Sequence, residues 1–125
     1  MDYVRNTNMG LDQNAYASFN DTNEEDKDRV DLAYWRKHPN LQGWMENLYR
    51  GKGGEGEFNC VSVQLTIEDL DSLETAIKDA ALPETNGFFF GDDSDDEYRE
   101  YDLEFIKTAR DYIGRGYKVF YSSWW

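Results

Sequence analysis

The chain has one cysteine, one histidine and two prolines among 125 residues, and each scarcity removes a class of function. A single cysteine, Cys60, allows no internal disulfide, which fits a reducing compartment. Cys60 falls in an alternating apolar run, where a small buried hydrophobe is the expected role rather than a reactive thiol. With His38 as the sole imidazole, a zinc site built from His and Cys lacks ligands, and a Cys–His nucleophilic pair would require the fold to join these two residues. No run of about 18 apolar residues occurs, so no segment reads as a membrane span. Met1 to Asn6 lacks the apolar stretch of a signal peptide, so the expected location is the cytoplasm.

Basic residues are also few. Thirteen Lys and Arg face 26 Asp and Glu, for a net charge of -13. Such a surface repels nucleic acid and anionic membrane and attracts basic proteins, so the expected partner is a basic protein, with no direct nucleic-acid or membrane contact. A chain this acidic tends to disorder unless aromatic residues build a core, and here Phe, Trp and Tyr make up 16% of the residues.

The organisation reads as a polar, mobile leader over residues 1–29 followed by one α+β domain over 30–125. Leu32, Tyr34 and Trp35 suggest a short helix that Pro39 stops or bends. Leu41, Trp44, Met45 and Leu48 form one stripe on a second helix, with Asn40 as N-cap and Gly51 as stop. The expectation is thus a kinked N-terminal helical pair. A β-α-β-α-β unit then follows as a small sheet with helices packed on it. Its parts are a strand from Phe58 to Leu65, a helix capped by Thr66, a strand at Gly87–Gly91, a helix over 98–113 and a strand over 117–125. Helical crossovers favour parallel pairing, and the last strand is expected at a sheet edge.

Tyr34 to Leu41, Gly43-Trp44-Met45, Gly87-Phe88-Phe89-Phe90-Gly91 and the Trp124-Trp125 pair together resemble small accessory proteins of tailed bacteriophages, notably those of cyanobacteria, and of their hosts. The resemblance spans roughly residues 31–125 and implies a phage accessory protein working in the host cytoplasm. It supplies no catalytic residues. Some such proteins carry a phosphoglycerate kinase label, but this chain is too short for a two-domain kinase and has no phosphate loop ending in Gly-Lys-Ser/Thr.

Four features could carry chemistry. Gly51, Gly53 and Gly56 spell a dinucleotide fingerprint, yet they follow a helix and precede a strand, the reverse of its working context, so a connector is expected. Asp92, Asp93, Asp95, Asp96 and Glu97 form a carboxylate tract that could meet a partner or hold a divalent cation. An EF-hand-like alignment from Asp93 puts Tyr98 where a glycine is required, and a solvated acidic loop is the simpler reading, with no metal site assigned. Trp35, Arg36, His38 and Trp44 could line a pocket for an anion or a partner carboxylate, or the tryptophans could simply fill the core. Trp124 and Trp125 could form an exposed rim for a partner or a weak, salt-strengthened homodimer.

No cofactor is expected. These readings favour a non-enzymatic acidic protein that binds a basic host or phage protein, with mimicry of nucleic acid as a special case. The alternative is a small metal-dependent enzyme or ligand-binding domain using the carboxylates of residues 92–97.

Overall fold

The computed structural model describes residues 11–19, 29–83 and 94–125. Their architecture is α+β: strands β1 (Asp12–Ser18), β2 (Val30–Arg36), β3 (Ser62–Leu65) and β4 (Lys118–Trp124), with helices α1 (Pro39–Gly51), α2 (Ile67–Lys78) and α3 (Ser94–Gly114). The sheet order is β2-β1-β4-β3, and every neighbouring pair is antiparallel. Cross-strand register puts Ala15, Ala17, Ala33, Trp35, Val63, Leu65, Val119 and Tyr121 on one face of the sheet. They join Leu41 and Met45 of α1, Leu70, Leu73 and Ile77 of α2, and Phe105, Ile106 and Ala109 of α3 in one core.

The expected N-terminal helical pair is not there. Val30–Arg36 is a strand, because Ala33 and Trp35 point into the core while Tyr34 and Arg36 point out, a period of two rather than of 3.6. Part of the supposed mobile leader is the inner strand β1, paired on both sides and buried from Ala15 to Ser18. The domain therefore begins earlier than residue 30. Pro39 starts α1 instead of stopping a helix, since the first helical position loses nothing by lacking an N–H. The cap residue is His38, not Asn40, and the helix runs through Gly51 to a cap at Lys52.

Parallel pairing is likewise replaced. Helices α2 and α3 both fall between β3 and β4 in the chain, and the two strands meet antiparallel. The strand expected at Gly87–Gly91 lies outside the described residues. The strand expected from Phe58 begins only at Ser62, because Cys60 adopts φ 64°, a left-handed conformation that breaks extended pairing. Phe58 is still buried, but Cys60 is exposed, contrary to its expected role as a core residue. The loop before β3 is the connector expected of the glycine run, with Gly53 and Gly56 both at positive φ.

The helix entry at Thr66 follows the sequence closely. The Thr66 hydroxyl accepts from the Asp69 N–H at 3.2 Å, and the Asp69 carboxylate accepts from the Thr66 N–H at 2.9 Å, a reciprocal capping box.

β4 lies between β1 and β3, so among the described strands β2 and β3 are at the edges of the sheet. Side chains cap both. The Tyr101 hydroxyl accepts from the Tyr34 N–H at 2.9 Å. The Tyr98 hydroxyl accepts from the Arg36 N–H at 3.1 Å and donates to the Arg36 carbonyl at 3.0 Å. On the other edge the Lys52 ammonium donates to the Gln64 carbonyl at 2.8 Å. The strand that carries Trp124 is thus an inner one, which removes the edge-strand route to the homodimer expected from Trp124 and Trp125. Among the described residues, no helix is long and apolar enough to cross a membrane.

Candidate functional site

Two polar constellations stand out, one inside the molecule and one on the face of the sheet away from the core. The inner one centres on Asp102, which α3 carries into the core between Phe105 and Tyr98, one turn away on either side. Its Oδ1 accepts from the Trp35 indole N–H at 2.7 Å, and its Oδ2 lies 2.8 Å from His38 Nε2. A carboxylate only accepts, so the proton of this second bond sits on Nε2. Tyr98 stacks on the His38 ring at 4.8 Å.

The network continues through Gln13 of β1. Its amide nitrogen donates to the His38 carbonyl at 3.0 Å and to the Tyr121 hydroxyl at 2.8 Å, and its oxygen accepts from the His38 N–H at 2.8 Å. Tyr121 in turn donates to Gln42 Oε1 at 2.6 Å. Burial pushes the Tyr121 phenol far above its ordinary value of 10, so it remains a neutral donor. Trp35, His38, Gln13 and Tyr121 have no exposed surface, and Asp102 and Gln42 almost none. No substrate reaches this His–Asp pair. Its chemistry is that of a tie joining β1, the end of β2, α1, α3 and β4.

The expected anion pocket is therefore not assembled. Trp35 and His38 do meet, but within the core. Arg36 projects from the other face of the sheet, where it is exposed, and Trp44 is half-buried on α1. One residue of strand separates Trp35 from Arg36, and alternation sends them to opposite sides.

The second constellation is an open groove of about 500 Å³ lined by Asn14, Arg29, Asp31, Leu32, Tyr34 and Trp124, together with Ala33 and, from α3, Tyr101. Trp124 and Tyr34 are each 53% exposed. Asn14, paired across the sheet with Tyr34 and Ser122, lines the groove as well. With the side-chain amide turned so that both of its ends are satisfied, it donates to the Ser122 carbonyl at 3.2 Å and accepts from Arg29 at 3.0 Å. The Arg29 guanidinium lies 4.0 Å over the Tyr16 ring, and its Nε donates to Asp31 at 3.3 Å. The Tyr34 hydroxyl donates to Asp12 Oδ1 at 2.6 Å, and donating this bond, together with some burial, holds the phenol above its ordinary value of 10.

Of the residues expected to meet a partner, Trp124 lines this groove. Trp125, 43% exposed, does not line it, and its backbone N–H donates to Asn59 Oδ1 at 3.1 Å. Asp92 and Asp93 lie outside the described residues. Asp95, Asp96 and Glu97 fall in the first turn of α3, where acids suit the positive helix end, and Glu97 is exposed. Among the described residues no group of three His, Cys, Asp or Glu converges as metal ligands would.

Sequence reasoning missed Gln13, Asn14, Arg29, Tyr34, Gln42, Tyr101, Asp102 and Tyr121 as members of either constellation. Asp102 did leave a signal. It shares the helical stripe of Tyr98, Phe105 and Ala109, and a carboxylate in an apolar stripe requires a partner. Comparison with protein-family models, with curated proteins and with solved structures gives no match to this chain.

Proposed function

We propose that the protein is a binding module with no catalysis of its own, and that it docks a basic protein of phage or host on the sheet face opposite the helices. The observation that carries this reading is the groove, where Trp124 and Tyr34 stand half-exposed over a polar floor in a molecule of net charge -13. Large aromatic side chains dominate interface energetics, and long-range charge governs which partners approach and how fast. The acids of residues 92–97 add to that field. The likeness to phage accessory proteins supports a host-cell setting, and mimicry of nucleic acid is one form such docking could take. The buried catalytic-type pair among the described residues, His38 and Asp102, is sealed from substrate, which favours binding over chemistry at that position.

The test is affinity capture from infected host lysate at low salt, comparing the natural chain with a Trp124→Ala, Tyr34→Ala double variant. The expected result is one or more basic proteins retained by the natural chain, released by added salt and absent from the variant eluate. Equal capture by both chains, or no enrichment even at low salt, would refute docking at this face.

A further inference from the structure

We infer that the groove takes an extended, proline-rich segment of the partner, with basic residues flanking its prolines. The inference rests on the docking reading above and names the kind of segment that is read.

Three of the large apolar side chains exposed among the described residues line this one groove: Tyr34 and Trp124, each 53% exposed, and Tyr101, 43% exposed. They do not form a single clamp. Tyr34 lies opposite Asn14 and Ser122 in one cross-strand row, whereas Trp124 lies opposite Asp12 in the next row, with Arg36 beyond it. Two strand spacings and one row put the Cα atoms of Tyr34 and Trp124 about 12 Å apart. Rings so separated fit a ligand with length rather than one flat group. A polyproline II segment rises about 3.1 Å per residue, so about four residues reach from one ring to the other. Its prolines are apolar and already rigid, and they dock on aromatic-lined grooves at little ordering cost.

Prolines lack N–H groups, so such a segment presents carbonyl acceptors and needs donors. Trp124, with its indole N–H, and Arg36, with its guanidinium, stand as donors on either side of Asp12. The Tyr34 hydroxyl is already committed to Asp12 at 2.6 Å, which leaves its ring for apolar contact.

Charge complementarity separates the prolines from their flanks. On the sheet, Arg36 lies across from Asp12, and Arg29 donates to Asp31 at 3.3 Å. This part of the groove thus carries balanced charge in a chain of net charge -13, and it suits an uncharged core. Toward α3 the balance ends. Glu97 and Glu104, exposed at helical spacings on either side of Tyr101, offer acids to basic flanking residues.

The test uses the full chain and three short peptides of equal length. One is a run of prolines between lysines, the second keeps the lysines around a Gly-Ser core, and the third keeps the prolines between glutamates. Binding is followed by NMR at the Trp124 indole N–H and at the Asn14 and Ser122 amides. The expected result is a saturable shift with the lysine-flanked prolines at submillimolar concentration, and at least about tenfold weaker binding of the other two peptides. Trp124→Ala, followed at the two amides, should weaken binding by about five- to thirtyfold, the effect of losing a hot-spot side chain. Tyr34→Phe, which keeps the ring, should bind better than Tyr34→Ser. Unchanged thermal unfolding of the variants shows that lost binding is not lost fold. Equal binding of the three peptides, no shift with any of them, or undiminished binding by the Trp124→Ala chain overturns the inference. Capture of a basic lysate protein that survives a failed peptide titration leaves docking standing without the proline-rich segment, whereas a proline-selective shift without lysate capture does the reverse.

Discussion

Removing the Asp102 carboxylate should be among the most damaging single changes in this protein. Asp102→Ala leaves the Trp35 indole N–H and the His38 Nε2–H facing a void, in a place where neither side chain has exposed surface. Each stranded donor costs about 1–3 kcal/mol, so the loss should be about 3–5 kcal/mol. Set against a total stability of about 5–15 kcal/mol, that removes a large fraction of it. Asp102→Asn should cost less, about 1–2 kcal/mol. The amide oxygen still accepts from Trp35, and the imidazole can shift its proton to Nδ1 and accept from the amide nitrogen. Urea unfolding followed by far-UV circular dichroism gives both numbers, with Glu104→Ala on the exposed side of the same helix as a reference expected within about 0.5 kcal/mol of the natural chain. If Asp102→Ala lies within about 1 kcal/mol of the natural chain, water or another acceptor reaches those groups and the sealed-tie reading is wrong.

Thr66→Ala removes one half of the capping box and should cost about 1 kcal/mol in the same unfolding assay, with the slope unchanged. Stability should fall in acid. Burial alone would raise Asp69, but hydrogen bonds from Lys52 and Thr66 outweigh it and hold the carboxyl below 3.8, while the Arg110 and Lys78 hydrogen bonds hold Glu74 below 4.5. Depressed folded-state values stabilise above those ordinary values and lose that contribution as pH drops through the folded ones, so urea midpoints should decline below pH 4.5, and less steeply in a Lys52→Met variant. A Tyr98→Phe, Tyr101→Phe double variant uncaps the β2 edge, and hydrogen exchange of the Tyr34 and Arg36 amides should accelerate by at least about tenfold, the effect of losing bonds worth about 1 kcal/mol each.

The helices were largely legible and the sheet was not, for identifiable reasons. Leu41 and Met45, Leu70, Leu73 and Ile77, and Phe105, Ile106 and Ala109 each form a local stripe, and all are buried as that spacing requires. β1 has no such signature. Its sequence DQNAYAS has neither β-branched residues nor a polar-to-apolar alternation, because small alanines suffice beneath bulky helices and Gln13 is buried with partners far away in sequence. β2 was misread because adjacent Tyr34 and Trp35 mimic a helical cluster, although they end on opposite faces. Of the candidate sites, the exposure of Trp124 was legible from its place in a strand already supplying Val119 and Tyr121 to the core. The Asp102 network was not, since its bonds bridge separations of 25 to 108 residues and only the folded topology brings them together.

The position of β4 between β1 and β3 bears on how the molecule can be made. A ribosome delivers β1 and β2 early and β3 somewhat later, but these pieces share no strand boundary until residues 118–124 arrive. Before then the nascent chain holds an antiparallel β1–β2 hairpin and an isolated four-residue β3, with the core side of both uncovered by the last strand. Pairings this remote in sequence are slow to form, because loop closure must precede any gain from contact. Synthesis at about 5–20 residues per second thus leaves Gln13, Ala15 and Ala17 without their β4 neighbours for several seconds. During that interval the chain's own surplus of negative charge is what keeps one unfinished copy from sticking to the next.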